Sequence, residues 1–228
     1  GYRKGDVYPV LLEYIPYRKD ESRGRNYPLY SYFLDNDYIV ARVDIRGTGN
    51  SEGKVIPNEY SDIELDDGEE VIEWLANQSW SNGKVGMFGI SWGGFNSIQM
   101  AMRNPPALKA FVAVMATEYL YEEDVHYIDG IMVAGDSWMM SNDLYNSLPG
   151  APDFIMDEQW YEDRFDVEPS VYKYMRQQRD GPFWDRASAK NKYHLIKVPG
   201  YHIGGWYDGY RNSLPRMVEN VSAPVKAM

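Results

Sequence analysis

Gly89, Ser91 and Gly93 spell G-x-S-x-G inside the stretch MFGISWGGF, residues 87–95. A short apolar run, GKVGMFGI, leads into the string, and WGGFNSIQMAMRN, with helical spacing, follows it as far as Pro105. A serine on a tight strand-to-helix turn is lifted clear of the sheet, and small residues on either side let the turn close. That is how a fold presents a nucleophile to an acyl carbonyl. The backbone N–H of Trp92, next in the chain, is then expected to be one donor to the oxyanion. The pentapeptide is short enough to arise by chance, so its weight comes from the strand before it and the helix after it. Such a serine needs a base, and the chain has three histidines, His126, His194 and His202.

The elements that must carry this turn alternate. YPVLLEYIP (residues 8–16) reads as a strand buried on both faces, and a helical stretch follows around residues 29–34. YIVARVDIRG (residues 38–47) is a β-branched strand that stops at a glycine turn. In SDIELDDGEEVIEWLANQ, Ile63, Val71, Ile72 and Leu75 stand at helical spacings, and Ser61 with Glu64 suggests a capping box. LKAFVAVMA (residues 108–116) is a further strand, and YHLIKVPGYHIGGWYDG, opened by His194, returns to strand character before its glycines. Strand and helix in alternation imply an α/β fold, a mostly parallel sheet with helices on both faces and its ligands at the carboxyl ends of the strands. Between residues 117 and 192 the pattern breaks into a segment rich in tyrosine, tryptophan, methionine and acid. The expected division is therefore a first part of the core over residues 1–116, a mostly helical cap over 117–192, and a second part of the core over 193–228.

Four stretches, PYRKD (16–20), DIRGTGNSEG (44–53), SWSNGKVGMFGISWGG (79–94) and GGWYDGY (204–210), match in order and approximate spacing one family. The chain resembles the α/β-hydrolases related to bacterial cocaine esterase and X-prolyl dipeptidyl peptidase. The resemblance implies an α/β-hydrolase core with a helical cap, and a C-terminal jelly-roll domain for which these residues are too few. It implies that Ser91 is the nucleophile, that the Tyr17 hydroxyl is the second oxyanion donor beside the Trp92 amide, and that Asp208 is the triad acid. In this fold the triad runs serine, acid, histidine along the chain, and all three histidines precede Asp208. None of them matches the base, so the sequence is expected to be an incomplete piece of a serine ester or amide hydrolase, X-Pro peptides among the candidate substrates. The alternative is a non-catalytic α/β-hydrolase-like domain acting as a binding or assembly module. A sheet stopped here is expected to expose an edge that pairs with a complementary chain segment or a second copy.

In the cap, EYLYEEDVHY sets carboxylates among tyrosines, a combination that can hold a cationic group. Asp124, Glu123, Trp138 and Trp206 are the expected substrate contacts. Related α-amino-ester hydrolases carry an acidic pair soon after the triad acid, where this chain has Arg211. Asp44 and Arg46 lack the lysine of a phosphate loop and read as a structural turn, tied by an ion pair. The three histidines have no paired spacing, which argues against a metal site, and no cofactor is expected. A net charge of −11 over 228 residues, without a basic run, argues against nucleic acid as a partner. With no cysteine there is neither a disulfide framework nor a thiolate site, and no apolar run is long enough for a membrane. A soluble, cytoplasmic protein is expected.

Overall fold

The computed structural model of the chain describes residues 3, 5–21, 26–133 and 136–228, with side chains described for all of these except 136–138. The first strand, β1 (Tyr8–Ile15), is followed by α1 (Tyr27–Asp35), which carries a proline in its first turn, and by β2 (Ile39–Asp44). Then come α2 (Asp62–Ala76), β3 (Ser81–Ile90), α3 (Trp92–Arg103) and β4 (Leu108–Val114). Asn104 ends α3 in a left-handed conformation, φ 53°, and Pro105 prevents its continuation.

Among the described residues, a two-stranded hairpin, β5 (Tyr127–Ile128) with β6 (Ile131–Met132), and four α-helices lie between β4 and the next sheet strand. These are α4 (Asp136–Ser147), α5 (Glu158–Trp160) running into a π-helical turn, α6 (Val171–Arg176) and α7 (Pro182–Asp185). The chain closes with β7 (Gly200–Ile203), α8 (Ser213–Asn220) and β8 (Val225–Ala227). The strand expected to open at His194 is shorter: residues 193–195 form a 3₁₀ turn, and pairing begins only after Pro199, which has no N–H for a ladder.

All six strands of the main sheet run parallel in the order β2-β1-β3-β4-β7-β8, with β2 and β8 at its edges. The chain moves one way from β1 to β2 and then crosses back to β3, so the sheet's switch point lies between β1 and β3. The crevice of an open α/β sheet forms at the carboxyl ends of such a strand pair. Tyr17 follows β1 and Ser91 follows β3, which makes them neighbours although they are far apart in sequence.

The core is built from Leu12, Tyr14, Met87, Phe95, Ile98 and Phe111, each at most 1% exposed. Full burial of one such side chain contributes roughly 2 kcal/mol. Helix α2 presents Glu64, Leu65, Gly68, Ile72 and Leu75 inward, while Ile63, expected on that face, is 43% exposed. Aromatic residues of the segment between β4 and β7 extend this core. Tyr127 and Tyr174 pack against Trp184 with ring centroids 4.9 and 5.8 Å away, and Trp184 is fully buried.

Candidate active site

Ser91 sits at φ 56°, ψ −124°, between the end of β3 and the start of α3. A serine in this region costs of order 1–3 kcal/mol and persists only where its surroundings over-determine it. They do so here. The Ser91 N–H donates to the Val114 carbonyl at 2.9 Å, and the Ser91 carbonyl accepts the Phe95 N–H at 2.9 Å. The turn is also closed too tightly for side chains: a Cβ on Gly89 would lie 2.5 Å from the Gly93 backbone, and one on Gly94 would lie 2.9 Å from the Ala116 methyl.

The Trp92 N–H, first of the helix, donates to the Tyr17 hydroxyl at 3.1 Å. Tyr17 is placed by the segment after β1. Asp44, at the end of β2 and 3% exposed, accepts the Lys19 N–H at 2.6 Å and the Asn50 N–H at 3.1 Å, and Arg18 donates to the Pro149 carbonyl at 3.0 Å. Arg46 forms a two-pronged ion pair with Asp67, at 2.7 and 2.6 Å. The loop after β2 is thus a structural turn, in keeping with its sequence.

The Trp92 indole is anchored from below by a residue whose role the sequence did not reveal. Glu64 is fully buried; its Oε1 accepts the Trp92 Nε1–H at 2.7 Å and an Asn96 amide N–H at 3.0 Å, and its Oε2 accepts the Tyr60 N–H at 2.6 Å. Burial pushes this carboxyl up to about 7, against the three hydrogen bonds that favour its ionised form. The expected capping box is not made: Ser61 forms no side-chain cap, and Glu64 reaches the Tyr60 N–H instead. One signal was available, because Glu64 stands in line with Gly68, Ile72 and Leu75 on the buried stripe.

Asp208 lies in the turn after β7, where its N–H donates to the Gly205 carbonyl at 2.9 Å and its carboxylate accepts the backbone N–H groups of Gly209 and Tyr210. Burial raises its pKa, and Oδ2 has no hydrogen-bond partner. Tyr210 docks this turn on the serine helix, its ring edge-on to Phe95 with centroids 5.2 Å apart, and Phe95 stacks on Tyr60 at 5.2 Å.

None of the histidines hydrogen-bonds to that free oxygen. His126, 1% exposed, bonds through Nε2 to Glu59 Oε2 at 3.2 Å and stacks on Tyr174 at 3.8 Å. His202 is inside β7 against Phe111, and burial lowers its pKa to about 4. His194 is exposed on the 3₁₀ turn.

The expected substrate contacts are dispersed. Glu123 is 3% exposed and accepts the Asn212 N–H at 3.0 Å and the Arg216 guanidinium at 2.8 Å. The same Arg216 holds the fully buried Glu118 at 2.5 Å, so these two acids tie the segment after β4 to α8. Asp124 is 4% exposed, and burial next to Glu59 pushes its carboxyl up to about 7. Trp206 is 88% exposed, and the Trp138 side chain lies outside the described residues. A cavity of about 240 Å³ opens beside the serine turn, with Pro16 and Trp92 on one side and Ile56, Leu144 and Phe165 among its apolar walls. Among the described residues no helix is long and apolar enough to cross a membrane.

Solved structures resemble the chain over nearly its whole length. In fold it is similar to a CocE/NonD family hydrolase from Staphylococcus aureus, with a TM-score of 0.76 at 24% identity, covering 98% of this chain and 41% of that one. It is also similar to an α-amino acid ester hydrolase, with a TM-score of 0.69 at 21% identity, covering 99% of this chain and 44% of that one. In sequence it is 36% identical over 115 residues to the cocaine esterase of Rhodococcus sp. (strain MB1 Bresler), a match covering 50% of this chain and 20% of the esterase. The chain thus spans well under half the length of these three relatives. A family model, X-Pro dipeptidyl-peptidase (S15 family), matches residues 3–228. With the parallel sheet and the strained serine turn in place, that match shows that the chain belongs to the X-Pro dipeptidyl-peptidase (S15) family of hydrolases.

Proposed function

We propose that the chain carries the nucleophile and oxyanion hole of a serine acyl hydrolase, cleaving esters or amides, X-Pro peptide bonds included, through an acyl-enzyme on Ser91. The observation that carries the reading is the meeting of the Trp92 N–H and the Tyr17 hydroxyl, 3.1 Å apart, beside a serine held at φ 56°. In the proposed reaction Ser91 Oγ attacks the acyl carbon and gives its proton to an imidazole. The carbonyl oxygen becomes an oxyanion that takes hydrogen bonds from Trp92 and Tyr17. Collapse breaks the bond to the leaving alcohol or amine, which receives the proton from the imidazolium, and water repeats the sequence to release the acid. Asp208, whose Oδ2 has no partner, orients that imidazole. We assign the base to none of the three histidines here, because His126 is held by Glu59, His202 is enclosed in β7 and His194 stands on an exposed turn.

The apolar cavity beside Trp92 takes the uncharged acyl or leaving group. Glu123 acts by holding Arg216.

Fluorophosphonate labelling of the protein carrying these residues, with peptide mapping, tests the reading. The label is expected on Ser91 and is expected to vanish in Ser91→Ala, while His194→Gln leaves it unchanged. A folded protein that stays unlabelled at Ser91 would overturn the proposal in favour of a non-catalytic module.

A further inference from the structure

Glu59, in the loop before α2, and Asp124 and His126, in the segment after β4, converge on one point. One donor atom from each lies within 4.8 Å of the other two, and the three residues are 5%, 4% and 1% exposed. His126 Nε2 and Glu59 Oε2 are 3.2 Å apart. Two ligands about 2.1 Å from a tetrahedral metal ion are separated by roughly 3.4 Å, so this pair already has the spacing of a shared ion. Asp124 accepts the Val125 N–H, but its Oδ2, although buried, accepts nothing. A buried carboxylate oxygen without a partner is costly, and a cation is the ligand that removes the cost.

The charge around the point has the same sense. Asp143 interacts electrostatically with both Glu59 and His126, which sets three carboxylates against one imidazole. Arg186, the nearby cation, donates to the backbone carbonyls of Glu59 and Tyr60 and not to these carboxylates. The donors are also held in place: the Tyr174 hydroxyl accepts the Glu59 N–H at 2.7 Å, and its ring lies flat against His126. Such outer partners are what orient metal ligands. Glu59 also lines the cavity beside Trp92, which gives an ion a way in.

We propose that Glu59, Asp124 and His126 form a binding site for a divalent transition-metal ion of the zinc class. Two carboxylate oxygens and one imidazole nitrogen suit Zn²⁺, Co²⁺ or Mn²⁺, and the absence of sulfur donors disfavours Cu⁺. The ion ties the cap segment to the loop before α2, at the wall of the cavity. Histidine spacing in the sequence does not report such a site, because only one of its ligands is a histidine and Glu59 comes from a distant part of the chain. The inference is independent of the hydrolase reading, since it needs neither Ser91 nor turnover.

The test uses chelator-treated protein titrated with ZnCl₂ by calorimetry and thermal melting, and with CoCl₂ by visible absorption. One equivalent of Zn²⁺ is expected to bind and raise the melting temperature, and Co²⁺ is expected to give the visible bands of a four- or five-coordinate ion. Asp124→Asn, nearly the same in shape, is expected to weaken Zn²⁺ binding by about 10-fold or more, while His194→Gln changes nothing. If Asp124→Asn does not fold by circular dichroism, Glu59→Gln is read in its place. Failure of the unaltered protein to bind Zn²⁺ stoichiometrically, or unchanged binding in the folded carboxylate variant, would overturn the proposal.

Discussion

His202 offers a direct trial of the electrostatics behind this fold. Its side chain is 1% exposed within β7, packed edge-on against Phe111 with centroids 5.3 Å apart, and its Nε2 has no partner. Burial lowers its pKa from 6.5 to about 4. The unfolded chain therefore takes up a proton near pH 6.5 that the folded chain refuses until about pH 4. Across that window the unfolded state holds more protons, so stability falls as the pH falls. Each pH unit of separation corresponds to about 1.4 kcal/mol, which gives a loss of about 2 kcal/mol by pH 5 and about 3 kcal/mol by pH 4. His202→Leu removes the titration and keeps an apolar side chain of similar size. Urea unfolding of both proteins at pH 7 and pH 5 should show the wild type losing about 2 kcal/mol relative to the variant. The comparison must be a difference, because the raised pKa of Glu64 works in the opposite sense, favouring the fold at low pH and losing that contribution as the pH rises towards 7. Parallel curves, with a constant gap between variant and wild type, would refute the argument.

Two further outcomes follow from the site and its supports. Tyr17→Phe removes the hydroxyl that meets the Trp92 amide, and in an esterase assay is expected to lower kcat by 10²- to 10³-fold, about 3 kcal/mol, with KM little changed; a KM effect alone would point to a packing role. Arg216→Met strands Glu118 and Glu123, which are 0% and 3% exposed, and is expected to cost about 3–5 kcal/mol in chemical unfolding; a loss below about 1 kcal/mol would mean that these carboxylates find other partners.

Much of the architecture is legible in the sequence because strands buried on both faces leave a strong local mark. β1, β3 and β4 each contain a largely apolar run, residues 8–15, 85–90 and 110–114, and the glycines around Ser91 mark a turn that admits no Cβ. What stayed hidden depends on contacts between distant segments. Glu64 looks like a helix-capping residue until α2 is laid against α3, when it becomes the acceptor for Trp92 and Asn96. The tyrosines of the cap look like the walls of a substrate entrance, but Tyr127 and Tyr174 are spent on burying Trp184. Glu118 and Glu123 read as part of a set of carboxylates that can hold a cationic group until α8 brings Arg216 between them. Short-range patterning reports which face of an element is buried; it does not report which polar group waits on the other side.

The bond between the Trp92 amide and the Tyr17 hydroxyl bears on how the proposed site would select a transition state. A carbonyl oxygen entering the site must draw both donors towards itself, and the amide–hydroxyl bond is given up in the exchange. A neutral hydrogen bond contributes about 1 kcal/mol net, whereas hydrogen bonds to a charged acceptor contribute roughly 1.5–3 kcal/mol each. A neutral ester or amide carbonyl therefore gains little from displacing the bond, and an oxyanion gains a good deal. Two donors resting on each other favour the charged tetrahedral species over the bound substrate, which is the difference that lowers a barrier. Glu64 contributes by holding the Trp92 ring, and Asp44 by holding the segment behind Tyr17, so the donors do not have to be ordered when the charge develops.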